Sequence, residues 1–164
     1  MGIVGTGGAG FVGARLVGAL LSAQGQTGGL CFTRIISVDL APGPVSSPKV
    51  VSEIGSVTDP ALLARTITAK TGAVFHLAAV VSGQAERDFD IGMAVNLDGT
   101  RALLDACRVS GAAPFFFFSS SLAVFGRDCP AIVTDAQVLR PQSSYGTQKA
   151  IGEMLVAAYS RKGY

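Results

Sequence analysis

Short apolar runs alternate along this chain with longer stretches of helical periodicity. Residues 2–4 (GIV) form a brief apolar run directly before a cluster of glycines. Residues 11–24 then place Phe11, Ala14, Leu16, Val17, Leu20 and Leu21 at helical spacing, and residues 26–33 (QTGGLCFT) read as a loop. The β-branched run RIISVDL (34–40) carries Asp39 at its end, and KVVSEI (49–54) is a third strand candidate. Residues 59–72 open with Asp59 as a helix N-cap and Pro60 at the first helical position, with Gly72 as the expected stop. AVFHLAA (73–79) is the fourth strand. A single long helix is expected over 85–110, turning Ala94, Leu97, Ala102, Leu103, Leu104 and Ala106 inward and ending at Gly111. PFFFFSSS (114–121) is the fifth strand, its phenylalanines 115–118 suited to a buried central position. A loop leads to the last helix, 143–162.

Strands alternating with helices imply βαβ units and a parallel sheet. The expected fold is α/β: a Rossmann-like, doubly wound sheet of about five strands in the order 3-2-1-4-5, flanked by helices. A six-stranded dinucleotide fold would need a further strand after Tyr164, so either the sheet has five strands or this chain is part of something longer.

Composition narrows the function. With 49% hydrophobic and 15% charged residues, the 164-residue chain can bury one real core, which excludes a disordered segment. The 13 Lys and Arg are scattered rather than clustered, which argues against a nucleic-acid surface. Three cysteines without metal-like spacing and a single His argue against a zinc site or any other metal site, and an odd, unpaired cysteine set suits a reducing cytoplasm. No apolar run approaches the ~20 residues of a membrane span. The N-terminus lacks the positive region of a signal peptide.

The glycine cluster GTGGAGFVG (5–13) therefore follows a strand and opens a helix, the context in which glycines cradle a pyrophosphate. Gly7 would allow the tight turn, Gly10 the close approach of a phosphate, and Gly13 the packing of helix on strand. The helix start offers unpaired N–H groups to the phosphates. Gly5, Gly7 and Gly10 satisfy a second glycine fingerprint, so the glycines alone leave the register open. Asp39, at a strand end, is placed to accept hydrogen bonds from ribose hydroxyls. A carboxylate there would repel a 2′-phosphate, which favours NAD over NADP.

Tyr145 and Lys149 form Y-x-x-x-K, one helical turn apart on one face. A phenol with a pKa near ~10 is a poor base at neutral pH, and a neighbouring ammonium favours its phenolate. Tyr145 could then take a hydroxyl proton while hydride leaves the carbon. A serine at the end of the fifth strand would hold the substrate oxygen; Ser119, Ser120 and Ser121 all stand there.

Together TGGAGFVG, VDL, HLAA, VNLDGTRALLDAC, FFSSSLAVFG and PQSSYGTQKAIGE resemble the extended short-chain dehydrogenase/reductases, the NAD-dependent epimerase/dehydratases, over nearly the whole chain. The resemblance implies NAD as cofactor and Ser121, Tyr145 and Lys149 as the catalytic set, with Tyr145 and Lys149 also contacting the cofactor, Lys149 at the nicotinamide ribose hydroxyls. It implies that Gly7, Gly10, Phe11, Val12 and Gly13 hold the pyrophosphate and Asp39 the adenosine ribose. Ala78 and Ala79 would line the cofactor, with Asn96 supporting the site. Where the family often has an Asp that reads adenine, this chain has Ser56, so the adenine contact is expected to be weaker, or to be made by backbone at Ser56 and Val57. Within the family the likeness is to sugar-acid dehydrogenases that oxidise the 2-hydroxyl of a four-carbon acid to a ketone. By that analogy Ser82, Gly83 and Gln84 lie near the substrate, together with Ser121 and Tyr145. A nucleotide-sugar epimerase or dehydratase uses the same catalytic residues, and a cofactor-binding fragment without turnover is the third reading. Residues 1–164 correspond to the family's NAD(P)-binding domain with its Ser/Tyr/Lys residues, without its C-terminal substrate region. His76, in HLAA, is expected to pack at a strand end rather than act as acid or base. A homodimer is expected through the helices near 85–110 and 143–162, whose outer faces include Met93, Ala102, Met154 and Ala158, each either interface or core.

Overall fold

The computed structural model describes residues 1–23 and 31–164. Its first strand, β1 (Gly2–Thr6), runs into the glycine turn and helix α1 (Phe11–Ala23), and β2 (Arg34–Asp39) and β3 (Val50–Ile54) follow. Gln24 and most of the expected 26–33 loop lie outside the described residues. Helix α2 (Pro60–Thr66) leads to β4 (Thr71–His76), and β5 (Phe115–Phe118) completes a parallel five-stranded sheet in the order β3-β2-β1-β4-β5. The expected order and fold class are thus the observed ones.

The period-2 alternation of strand side chains sorts the core onto two faces. Ile3 is in register with Ile35 and Ala73, and these pack with Val17 of α1 and with Phe32. Val4 is in register with Ile36 and Val74, and these pack on the other face with Leu62, Leu63, Leu103 and Cys107. Each fully buried Leu or Ile contributes about 1.5–3 kcal/mol relative to exposure.

Three expectations need correction. The helix expected over 59–72 starts as foreseen, with Asp59 Oδ1 accepting from Ala61 N at 2.9 Å, but ends at Thr66. Its β-branched run Thr66-Ile67-Thr68 loses side-chain freedom in a helix, and the Thr66 hydroxyl turns back onto the Leu62 and Leu63 carbonyls. Gly72 lies inside β4 and is no helix stop; a Cβ there would come 2.3 Å from Met1 Sδ.

The single helix expected over 85–110 is four pieces. Helix α3 (Ser82–Arg87) stops at Asp88, whose extended backbone and carboxylate cap α4 (Phe89–Gly92) through Ile91 N at 3.0 Å. A π-helical turn (Met93–Asp98) then leads into α5 (Gly99–Val109). Such π turns concentrate at functional sites, and this one carries Asn96.

The phenylalanine strand is not central. Among the described residues β5 stands last in the strand order and pairs with β4 alone. Phe116 packs against the Leu62–Leu103 core, but Phe115 and Phe117 point to the α1 side, 64% and 45% exposed.

After a 3₁₀ turn (Leu122–Val124) the chain ends in α6 (Ser144–Arg161). Ala102, read from the sequence as interface or core, packs against the core from α5.

Candidate functional site

The glycine turn sits at the C-terminal end of β1, between the ends of β2 and β4. Gly7 N donates to Val38 O at 2.9 Å, and the residue has φ +75°, a conformation that favours glycine. A Cβ on Gly7 would lie 2.8 Å from Ala78 N. At Gly13 it would lie 2.1 Å from Gly7 O, so α1 packs directly on the turn. Gly10 is exposed and would meet only Gly7 O, at 3.3 Å; its missing side chain leaves backbone open to a ligand. Gly5 has nothing within 4 Å, which removes it from the working register. A Cβ on Gly8 would come 1.9 Å from Ser37 Oγ, a hydroxyl that rotation of the serine can move aside.

Asp39 braces this turn. Its Oδ2 accepts from Ala9 N at 2.8 Å and its Oδ1 from Leu40 N at 2.7 Å. Lone pairs remain on both oxygens, and the carboxylate borders an open cleft of about 530 Å³. The cleft gathers Gly7, Gly10, Asp39, Ser56, Val57, Ala78 and Ala79. Gln84, Ile91 and Val95 also line it; of these only Gln84 was singled out from sequence, and for substrate. The glycine turn, the open backbone at Gly10 and the carboxylate at a strand end fit a dinucleotide. Phe11 and Val12 stand exposed on the first turn of α1, outside the cleft lining. Ser82 and Gly83 open α3 and are likewise not part of that lining.

Asn96 works from behind the wall. Its Oδ1 accepts from Val80 N at 2.8 Å, and its Nδ2 donates to Val80 O at 3.0 Å and to Gln148 Oε1 at 2.8 Å. His76 is buried beside it, with Nδ1 2.7 Å from Thr6 Oγ1 and Nε2 2.9 Å from Thr100 Oγ1. Burial first, and the Lys149 ammonium second, push its imidazole down to about 3. Folded His76 therefore stays neutral where the unfolded chain, with an ordinary pKa of 6.5, takes a proton. Its contribution to stability is complete above pH 6.5 and declines as pH falls towards 3, by up to about 1.4 kcal/mol per pH unit. The expected cost at pH 5 is about 2 kcal/mol, read from urea midpoints. An imidazole NMR signal that titrates between pH 5 and 7 in the folded protein would contradict it.

The catalytic candidates sit on α6 and on the segment after β5. Ser143 caps α6, its Oγ accepting from Gly146 N at 3.0 Å. Glu86 of α3 adds a second cap, accepting from Tyr145 N at 3.2 Å and from the Ser144 hydroxyl at 3.4 Å. Lys149 is buried, and its Nζ donates to Ser119 O at 2.9 Å. The same Nζ stands 5.8 Å from the Tyr145 ring centre and 4.8 Å from that of Phe118. Burial lowers its pKa to about 8.

Hydrogen bonding sets Ser120 apart, because its hydroxyl is committed, and leaves both Ser119 and Ser121 with hydroxyls able to donate. Ser119 lends its carbonyl to Lys149, and the Ser120 hydroxyl donates to Glu153. Ser121 Oγ only accepts, from Ala123 N at 3.2 Å, so that bond leaves its proton uncommitted. A Cβ on Gly146 would lie 2.4 Å from Ala123 O, so the turn after Ser121 packs against α6 beside Tyr145.

Among the described residues no three His, Cys, Asp or Glu side chains gather as a metal site requires, and no helix is long and apolar enough to cross a membrane.

Residues 3–164 match the family model described as the NAD dependent epimerase/dehydratase family. The D-erythronate dehydrogenase of Cupriavidus necator is 49% identical over 170 residues, covering 100% of this chain and 52% of that protein. The crystal structure of a nucleoside-diphosphate-sugar epimerase from Agrobacterium tumefaciens superposes with a TM-score of 0.88 at 40% identity, covering 99% of this chain and 49% of that one. A short-chain dehydrogenase/reductase superfamily protein from the same organism, solved with bound NAD, superposes at 0.80 with 36% identity, covering 98% and 45%. This chain spans about half the length of the relatives it matches. It belongs to the NAD-dependent epimerase/dehydratase family.

Proposed function

We propose that residues 1–164 form the dinucleotide-binding and catalytic part of an NAD-dependent dehydrogenase that oxidises a secondary hydroxyl of a small sugar acid, with C2 of D-erythronate as the leading candidate. The observation that carries this reading is the joining of two features at one end of the sheet. A cleft bordered by Asp39 and the glycine turn lies at the strand ends, and α6 sets Lys149 Nζ 5.8 Å from the Tyr145 ring. The choice of substrate draws on the likeness to D-erythronate dehydrogenase.

In this scheme Tyr145, as phenolate, takes the proton of the substrate hydroxyl. Lys149 favours that phenolate through its charge. Ser121 donates its free proton to the substrate oxygen and holds it as the carbonyl forms. The chemistry that NAD would supply at this site is a hydride acceptor for the same carbon. Asp39 receives the adenosine ribose hydroxyls, with Gly7, Gly10, Phe11, Val12 and Gly13 at the pyrophosphate and backbone at Ser56 and Val57 at the adenine. Ala78 and Ala79 wall the cofactor, Asn96 holds that wall, and Ser82 and Gly83 meet the substrate. The unpaired Cys31, Cys107 and Cys129 suit a cytoplasmic setting. Exposed Phe89 and Met154 suit a homodimer through α4, α5 and α6, which light scattering would test.

The test is NADH formation at 340 nm with D-erythronate. NADH should also bind more tightly than NADPH, because the Asp39 carboxylate repels a 2′-phosphate; the reverse order would remove the role given to Asp39. The likeness to a nucleoside-diphosphate-sugar epimerase motivates a second reading. Conversion of a nucleotide sugar without net NADH formation would favour it. NAD binding without turnover on either substrate class would leave a binding unit alone.

A further inference from the structure

Beneath the cleft, Thr6, His76, Thr100, Asn96 and Gln148 are each no more than 1% exposed and form one continuous run of hydrogen bonds. They come from β1, β4, α5, the π turn and α6, so the run ties two central strands to the helices on one side of the site.

The direction of each bond follows from the last acceptor. Thr100 Oγ1 lies 2.6 Å from Asn96 O, and a carbonyl can only accept, so the threonine proton is committed there. His76 Nε2, 2.9 Å from the same oxygen, must therefore carry a proton and donate it. The ring is neutral, so Nδ1 is bare and accepts the Thr6 hydroxyl at 2.7 Å. The Thr6 oxygen in turn accepts from Ala78 N at 3.2 Å.

Both ends of the run grip the same short segment. One end holds Ala78 N. The other passes through Asn96, whose amide clasps the N–H and carbonyl of Val80. Ala78 and Val80 both line the cleft. The same Asn96 amide donates to Gln148, the residue before Lys149 on α6.

We propose that His76 is a positioning residue: as the Nε2–H tautomer it locks the Ala78–Val80 wall to the helix that carries Tyr145 and Lys149, and NAD affinity depends on that lock. This rests on the reading of the cleft as an NAD site. From Thr6 through His76 and Thr100 to the Asn96 carbonyl the donors follow one order, in which neither hydroxyl nor the ring can turn round without leaving a buried partner unpaired; beyond it, Gln148 accepts from Asn96 through Oε1 while its buried Nε2 has no protein partner.

His76 is the only histidine in the chain, so ¹⁵N-histidine labelling gives a single pair of ring signals. The expected spectrum of the unaltered chain shows a protonated Nε2 and a bare Nδ1; a protonated Nδ1 overturns the proposal. Thr100→Val keeps the shape but leaves Nε2–H without an acceptor. It is expected to weaken NAD binding by about tenfold and to speed amide exchange at Ala78 and Val80, with Ile3 and Val4 of β1 unaffected. Thr100→Ser, which keeps the hydroxyl, is expected to restore both. A folded Thr100→Val chain that binds NAD as the parent does overturns the positioning role alone. A parent chain that binds no NAD overturns the cofactor reading and this proposal with it. If Thr100→Val does not fold, the tautomer in the parent and the NAD affinity of Thr100→Ser decide: a bare Nε2, or a serine variant about tenfold weaker, overturns the lock.

Discussion

Tyr145→Phe is expected to lower the turnover of NADH formation by roughly 10²–10⁴-fold, the usual worth of a positioned general base. NAD affinity is expected to stay within about twofold of the parent, because only transition-state interactions are lost. The structure makes this a narrow substitution. Tyr145 is held by its backbone, whose N–H donates to Glu86, and that bond survives. Lys149 keeps its bond to Ser119 O, and its burial does not depend on the phenol oxygen. The variant therefore removes one proton acceptor and little else. Stopped-flow or steady-state absorbance at 340 nm with D-erythronate reads the turnover, and fluorescence titration reads the affinity. A variant that keeps more than about a tenth of the parent turnover would assign the base elsewhere.

The parts of this molecule that were legible in the sequence are those whose physics is local. The glycine turn is written in consecutive residues, because backbone conformation and close packing at Gly7 and Gly13 admit no other side chain. Tyr145 and Lys149 are one helical turn apart, and a single period relates them. The sheet order follows from the alternation of strands and helices and the handedness of their crossovers.

What was not legible depends on distant partners. The break at Asp88 came from a side chain choosing to cap Ile91 rather than to continue a helix. The exposure of Phe115 and Phe117 is decided by the place of β5 at the end of the described strand order, which hydrophobicity cannot report. The atom a Cβ on Gly8 would meet belongs to Ser37, on the neighbouring strand. His76 could be expected to pack at a strand end, but its partners Thr6 and Thr100 are 70 and 24 residues away, and Asn96 and Gln148 are 52 apart. No periodicity connects such positions. A spacing of four between Asn96 and Thr100 on one helical face was the only available signal.

The glycines allow a second large effect to be separated into fold and ligand. Gly13→Ala is expected to destabilise the chain by about 1–3 kcal/mol, as overpacking does, and to weaken NAD binding by roughly 100-fold or more. The added Cβ would meet Gly7 O at 2.1 Å, Gly7 C at 2.8 Å and Gly8 Cα at 2.8 Å. All three are backbone atoms, so no side chain can swing aside. Either α1 shifts away from the turn or the turn opens, and both move the Gly7 N–H that donates to Val38 O. Gly10→Ala behaves differently. Its Cβ would meet only Gly7 O at 3.3 Å, which a small adjustment relieves, so stability should stay within about 1 kcal/mol of the parent. Its methyl stands instead where the turn faces the cleft, so NAD affinity falls while the fold holds. Gly5→Ala, with nothing within 4 Å, should change neither affinity nor fold beyond a slight gain from reduced backbone entropy. Urea denaturation and NAD titration of the three variants test this ordering. Equal losses of stability in Gly10→Ala and Gly13→Ala would show that Gly10 is glycine for packing, and the open backbone at that position would no longer support a bound pyrophosphate.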